Sequence, residues 1–334
     1  MLRFIAALTL FLAVPVEAAV LKIATLAPEG SGWMKEMRAS AKEIGERTQG
    51  RVAIKFFGGG VMGNDKKVLR KIRIGQLQGG AFTSGALVER YRGLLVYGLP
   101  LVFNSQREVD YVRARMDDEL IAGMEKAGFV SFGFSGLGFA MLMSKTPVRR
   151  LDDLKGRKVW TPEGDPITYA AMETLGLSPV TLPLTDVMTG LQTGLIDIVA
   201  ASPVGAVLLQ WHTKVKYVTD YPLAYLFGFM AIDKNAFDNL EPKDQATVKD
   251  VMGRIYRKSD QLNRADNEKA AKALKASGLE FVTVASKEID QWRELLGARN
   301  RELAEEGLYP VELLDRMERL LTAFRDGKTA QPDN

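Results

Sequence analysis

The feature that most constrains this chain is a rhythm of β-rich runs and amphipathic helical stretches that starts twice. Residues 20–26 form a β-rich run that ends in Pro28-Glu29-Gly30-Ser31-Gly32, and a helical pattern follows over about 33–47. Residues 52–57 read as a second strand. A glycine turn and a helix near 65–74 come next, then a short third strand at 81–84. The order β-α-β-α-β indicates an α/β domain with a mostly parallel sheet. From Gly128 the rhythm restarts. Residues 129–134 and 139–144 are strand-like, 152–156 make a polar helical turn, and 158–160 form a short strand. Helical patterns then cover 166–175 and 185–194, followed by a buried-type strand at 196–200. A second α/β domain therefore begins between Gly136 and Pro147, and residues 224–233 read as a strand leading back out of it.

The longest helical pattern, 241–276, starts with an acid followed by proline and is long enough to lie across both domains. Two α/β units joined by more than one crossing strand form a cleft that can hinge, and such clefts are where small ligands bind. The expected division places residues 19–140 with about 232–275 in the first domain and 141–231 in the second. Residues 276–334 are expected to supply C-terminal helices packing across the two.

A chain of 334 residues has room for two such cores. Its net charge of +4 comes from basic and acidic residues interspersed along the chain, which is no footprint for nucleic acid. The absence of cysteine rules out thiol chemistry, cysteine-built zinc sites and iron–sulfur clusters. At the N-terminus, Arg3 precedes an apolar run over 4–14, and Val16-Glu17-Ala18 places small residues where a signal peptidase reads. This is the pattern of a cleavable secretory signal, with cutting expected after Ala18 and export to the periplasm. The run is shorter than the ~20 residues that span a bilayer core.

Signals for catalysis are weak. Gly58-Gly59-Gly60-Val61-Met62-Gly63 has the spacing of a dinucleotide loop, but it follows the second strand. The next strand ends in Thr83-Ser84, where an acid for the ribose is required. It reads instead as a strand-to-helix turn with Asn64 or Asp65 capping the helix. The single histidine, His212, has no acid at helical spacing to orient it. Gly133-Phe134-Ser135-Gly136-Leu137-Gly138 lacks the glycine placement of a nucleophile elbow. No catalytic residue, metal ligand or cofactor is assigned.

The stretch Leu151-Asp152-Asp153-Leu154-Lys155-Gly156-Arg157-Lys158-Val159-Trp160-Thr161-Pro162, with the residues from Ser144 leading into it, resembles a signature of one family. That family is the solute-binding component of TRAP (tripartite ATP-independent periplasmic) transporters, the DctP or C4-dicarboxylate-binding type. Val61-Met62-Gly63-Asn64-Asp65, Leu99-Pro100-Leu101-Val102-Phe103 and residues 185–197 agree with it, so the likeness covers essentially the whole mature chain. The resemblance implies a type II periplasmic-binding fold, closure around a small-molecule solute, and docking to small and large membrane subunits that run on an ion gradient. The long helix is compatible with a monomer or a homodimer. One departure stands out. The resemblance places a carboxylate-clamping arginine where this chain has Trp160, and a second basic residue near Ala140.

Trp160 offers one N–H donor and a broad apolar face, suited to stacking on a sugar, an aromatic ring or a cation. Glu163 and Asp165 follow it as acceptors that favour hydroxyl, amide or ammonium groups. The plainer readings place Trp160 in the core and make Asp165, before Pro166, a helix cap. Loops at the carboxyl ends of parallel strands should face the cleft, which adds Glu29, Trp33, Thr83, Ser84 and Ser202 as ligand contacts. Trp33 serves equally well as helix packing, and Trp211 reads as core or hinge packing. Arg149 and Arg150 face solvent and reach a carboxylate only if their loop folds inward. The expected function is therefore capture of a small polar organic solute. The rivals are an exported α/β enzyme using Glu163 and Asp165 as an acid/base pair, and a ligand-binding sensor component.

Overall fold

The computed structural model describes residues 18–327, so the apolar run expected to be a secretory signal lies outside the described residues. The first domain opens with β1 (Ala19–Thr25), α1 (Gly32–Arg47), β2 (Val52–Phe57), α2 (Asp65–Arg73) and β3 (Gly79–Thr83). β1 lies between β2 and β3 and is parallel to both. Alternation along β1 points Leu21 and Ile23 to a core shared with Met34, Met37 and Ile44 of α1. Ala24 points to the opposite core with Val68 and Ile72 of α2. Ser31 fixes the start of α1 by accepting from the Met34 amide at 3.3 Å. β3 begins two residues earlier than the pattern suggests, at Gly79. A Cβ there would sit 2.6 Å from the Ala231 carbonyl oxygen, so only glycine lets the neighbouring strand approach.

After two 3₁₀ turns at Ser84–Leu87 and Arg92–Gly98 come α3 (Gln106–Lys126), β4 (Phe129–Val130) and β5 (Phe134–Ser144). The second domain follows with β6 (Trp160–Pro162), α4 (Pro166–Thr174), β7 (Val180–Leu182), α5 (Val187–Thr193), β8 (Ile198–Ala201), α6 (Pro203–Leu208) and β9 (Tyr217–Thr219). β10 (Ala224–Asp233) and α7 (Lys234–Asp238) return the chain to the first domain. Then come α8 (Pro242–Ala276), β11 (Glu280–Val282), α9 (Ser286–Glu305) and α10 (Val311–Arg325).

The main sheet runs β11-β9-β5-β10-β3-β1-β2, with β4 added on β10 and β8 on β5. It is mixed: β10 is antiparallel to both β3 and β5. β5 serves both domains. Its first part pairs with β10, and Met141–Ser144 pair with β8. The two strand-like runs expected at 129–134 and 139–144 are thus a two-residue strand and one continuous 11-residue strand. Gly136-Leu137-Gly138 looks like a break in the sequence, yet the chain crosses between the domains there, with Gly138 at φ +90°. The register of β10 shifts opposite this point, between Leu226 and Phe227. Side-chain bulk at Gly138 would be strained by that φ and would press on Asn267 of α8.

α8 spans 35 residues and packs on α1, on β5 and on α6, so it touches both domains and the crossing between them. Asp260, Asn263 and Asn267 lie along its crossing face. Asp260 accepts from the Gly136 amide at 2.7 Å, Asn263 donates to the Gly136 carbonyl at 2.8 Å, and Asn267 donates to the Leu137 carbonyl at 3.1 Å. Two α/β domains, two crossing strands and one long helix across both make a type II periplasmic-binding fold with a hinged interdomain cleft.

Candidate functional site

In the first domain the loops after β1 and β2 and the end of β3 lie at one edge of the parallel sheet, the edge where α/β folds hold ligands. The second domain faces them with the loop between β6 and α4. Glu163 in that loop accepts from Asn64 Nδ2 at 3.2 Å and from Lys66 Nζ at 2.9 Å, both in the first domain. The backbones also meet nearby. A Cβ on Gly85 would lie 3.4 Å from the Gly164 carbonyl oxygen, and one on Gly60 would lie 3.7 Å from Thr185. The cleft is therefore closed along this rim.

The residues expected to contact a ligand sort into different situations. Thr83 is exposed and Ser84 half-buried at the end of β3, and neither hydroxyl has a hydrogen-bond partner among the described residues. Glu29 is tied within its own domain, accepting from Arg38 at 2.7 Å. That bond holds its carboxyl below the usual carboxylate range. A Cβ on Gly58 would collide with this carboxylate at 2.6 Å, so Glu29 staples the β1–α1 loop to the β2–α2 loop. Trp33 sets its ring edge-on to Phe56, with centroids 6.3 Å apart, and packs against the α1 core.

Trp160 is 5% exposed. Its Nε1 donates to the Leu182 carbonyl at 3.0 Å, and its ring meets Trp211 edge-to-face at 5.3 Å. Its only polar group is thus engaged inside the second domain, among Met143, Val187 and Leu191. Asp165 caps α4, accepting from the Thr168 amide at 3.0 Å and its hydroxyl at 2.6 Å. Burial raises its carboxyl against those two bonds. Ser202 is buried and caps α6 through the Gly205 amide at 3.3 Å. Arg149 and Arg150 are exposed, with both backbone amides donating to Asp153. Ala140 is buried and paired with Ala224 in the crossing strands. His212 bonds the Ala206 carbonyl through Nδ1 at 3.0 Å, a packing role.

Asn64 and Lys66 were not expected at the cleft. Asn64 does cap α2, its Oδ1 accepting from the Lys67 amide at 3.1 Å, but its amide nitrogen is turned to the other domain. Between them Asp65 is half-buried, and burial together with the charge of Glu163 pushes its carboxyl up to about 6. A carboxyl raised in the folded chain binds its proton more tightly there than when unfolded. Its contribution to stability is complete below the ordinary value of 3.8 and is lost as pH rises through about 6. The unfolding free energy of the wild type minus that of Asp65→Asn should therefore fall between about pH 4 and 6, with a slope of up to about 1.4 kcal/mol per pH unit. Thermal melts across that range check it, and parallel curves would refute it.

Among the described residues no group of three or more His, Cys, Asp or Glu side chains could hold a metal ion. Asp165 is committed to its cap and Glu163 to the facing domain, so the two do not form a free acid/base pair.

Comparison with known proteins agrees with this geometry. Residues 23–306 match the family model described as bacterial extracellular solute-binding protein, family 7 (DctP). The C4-dicarboxylate-binding periplasmic protein DctP of Rhodobacter capsulatus is 25% identical over 90% of this chain and 91% of its own length. The 2,3-diketo-L-gulonate-binding periplasmic protein YiaO of Escherichia coli is 28% identical over 71% of this chain and 73% of its own. In structure, a TRAP periplasmic solute-binding protein from Xanthobacter autotrophicus with bound β-D-galacturonate superposes with a TM-score of 0.81 at 23% identity. The match covers 90% of this chain and 99% of that one. The sugar-acid-binding protein DctPAm from Advenella mimigardefordensis, in complex with galactonate, reaches 0.84 at 17% identity, covering 92% and 98%. The resemblance carried by residues 144–162 holds across the chain: this protein belongs to the bacterial extracellular solute-binding proteins of family 7, and its role is the capture of a solute in the periplasm.

Proposed function

We propose that the solute is a small, hydroxyl-bearing organic molecule, held between the end of β3 and the second domain and handed to the small and large membrane subunits of a TRAP transporter. The observation that carries this is the pair of hydroxyls on Thr83 and Ser84, without hydrogen-bond partners among the described residues, at the end of β3 where Gly85 meets the facing loop at Gly164. The relatives named for their ligands bind dicarboxylates or sugar acids. Here Trp160 occupies the position of the expected arginine and spends its donor on Leu182, which argues against a simple dicarboxylate as the preferred cargo. The domains divide near residues 140 and 231 in this reading, where β5 and β10 pass between them. Glu29, Trp33, Trp160, Asp165 and Ser202 then shape the walls, and Thr83 and Ser84 make direct contact.

Closure follows from differential affinity, because a solute that bridges both domains favours the closed form. A thermal-shift screen over sugar acids, polyols, C4-dicarboxylates, amines and aromatic acids tests the reading. A solute that binds only the folded chain adds about 2.7 kcal/mol when present about a hundredfold above its Kd, a rise of several degrees. Hydroxyl-rich solutes should give the largest rise, and Thr83→Val with Ser84→Ala should remove it. A larger response to succinate or malate, unchanged in that double variant, would sink the proposal.

A further inference from the structure

The loop that carries Glu163 is held stiffly by its own domain. The Glu163 amide donates to the Leu182 carbonyl at 3.1 Å, Gly164 turns the chain at φ +85°, and Asp165 is locked as the cap of α4. Yet both hydrogen-bond partners of the Glu163 side chain belong to the other domain. Its receptor is equally fixed. Asn64 cannot flip its amide without surrendering the Oδ1 bond that caps α2, so its Nδ2 must point at Glu163. The carboxylate also lies at the N-terminal turn of α2, where the helix dipole favours negative charge while the like charge of Asp65 opposes it. Lys66 is 63% exposed and Glu163 31%, so the Lys66 pair is the minor part and the Asn64 bond the major one. Close by, Gly85 and Gly164 let the two backbones approach without side chains between them.

We propose that Glu163 is a positioning residue that clasps the second domain onto the N-terminus of α2, and that it favours the closed form before any solute arrives. This rests on the reading that the domains open and close around a solute. Its consequence is that part of the closing free energy is built into the chain, and release to the membrane partner has to break the clasp.

The test is run without solute, so its result does not depend on what the solute is. Because the chain has no cysteine, Arg70→Cys on α2 and Glu173→Cys on α4 give unique sites for spin labels. Pulsed electron–electron distances then report the opening of the cleft. Asn64→Asp keeps a capping oxygen on α2 but sets a carboxylate against Glu163. Glu163→Ala removes the clasp outright. Each should lower the ratio of closed to open molecules by about three- to tenfold. Adding Glu163→Gln to Asn64→Asp restores a donor–acceptor pair with its direction reversed, and should recover the short distance. Melting temperatures confirm that each variant is folded. The proposal is overturned if both single variants keep the wild-type distance distribution, or if the paired variant stays as open as Asn64→Asp. A chain that opens as described but binds no solute refutes the functional reading and leaves the clasp standing.

Discussion

Replacing Arg113 with methionine is expected to cost about 3–5 kcal/mol of folding stability. Its side chain is 9% exposed on α3. Nη2 donates to Asp117 at 2.9 Å and to the Phe134 carbonyl at 2.8 Å, while Nη1 donates to Asp260 at 2.8 Å and to the Tyr225 hydroxyl at 3.1 Å. One guanidinium therefore joins α3, both crossing strands and α8 where the domains meet. Asp117 also accepts from Tyr97 at 2.8 Å, and Asp260 holds the Gly136 amide, so the network continues into the hinge. Methionine fills much of the volume but leaves two sequestered carboxylates without their counter-charge. Removing one partner of such a pair costs more than the pair contributes, because the remaining charges stay desolvated. The loss should be greater at pH 7 than at pH 5, since an orphaned Asp117 can escape by taking a proton. Burial already raises the Asp117 carboxyl with arginine present. Urea unfolding at the two pH values measures both effects. A loss below about 1 kcal/mol would mean that the network is solvated and has little to do with the hinge.

Trp160→Ala should be comparably severe, at about 3–5 kcal/mol, because it removes one of the two tryptophans of its core cluster in the second domain. Two separate losses add. Trp211 loses its edge-to-face partner, and the Leu182 carbonyl loses one of its two donors, keeping the Glu163 amide. Trp160→Phe isolates them: it keeps a ring against Trp211 and should cost about 1–2 kcal/mol, chiefly the missing hydrogen bond and the smaller volume. Thermal unfolding of the two variants provides the comparison. If alanine and phenylalanine cost the same, the ring is not packed as described. If neither affects stability but solute binding is abolished, Trp160 is a ligand contact and its engagement with Leu182 is incidental.

The fate of Trp160 shows where reading the sequence stops. Its position after Leu-Lys-Gly and its departure from the expected arginine are visible in the chain, but its partners are not. Leu182 lies 22 residues ahead, and Trp211 is brought in by the packing of β6 against the domain core. Asn64 tells the same story. Its capping role is local and was legible, whereas the donor turned to Glu163 spans 99 residues. The α/β rhythm, the crossing strand at 224–233 and the long helix from Pro242 were legible because period and capping are local properties. α3 was not. Its buried face mixes Glu108 and Arg113 with Val109, Val112 and Met116, so charged residues interrupt the apolar stripe that would mark a helix. β9 and β11, three residues each, carry too little pattern to be read before their parallel pairing is seen.

On the proposed function, this chain closes on one solute and returns it unaltered. The most direct measurement is recovery. The solute giving the largest thermal shift is incubated with the protein, separated from free solute, released by denaturation and identified by mass spectrometry. One equivalent per chain, chemically unchanged after prolonged incubation, is the predicted result. A converted product, or no retained solute of any class that shifts the melt, would contradict it.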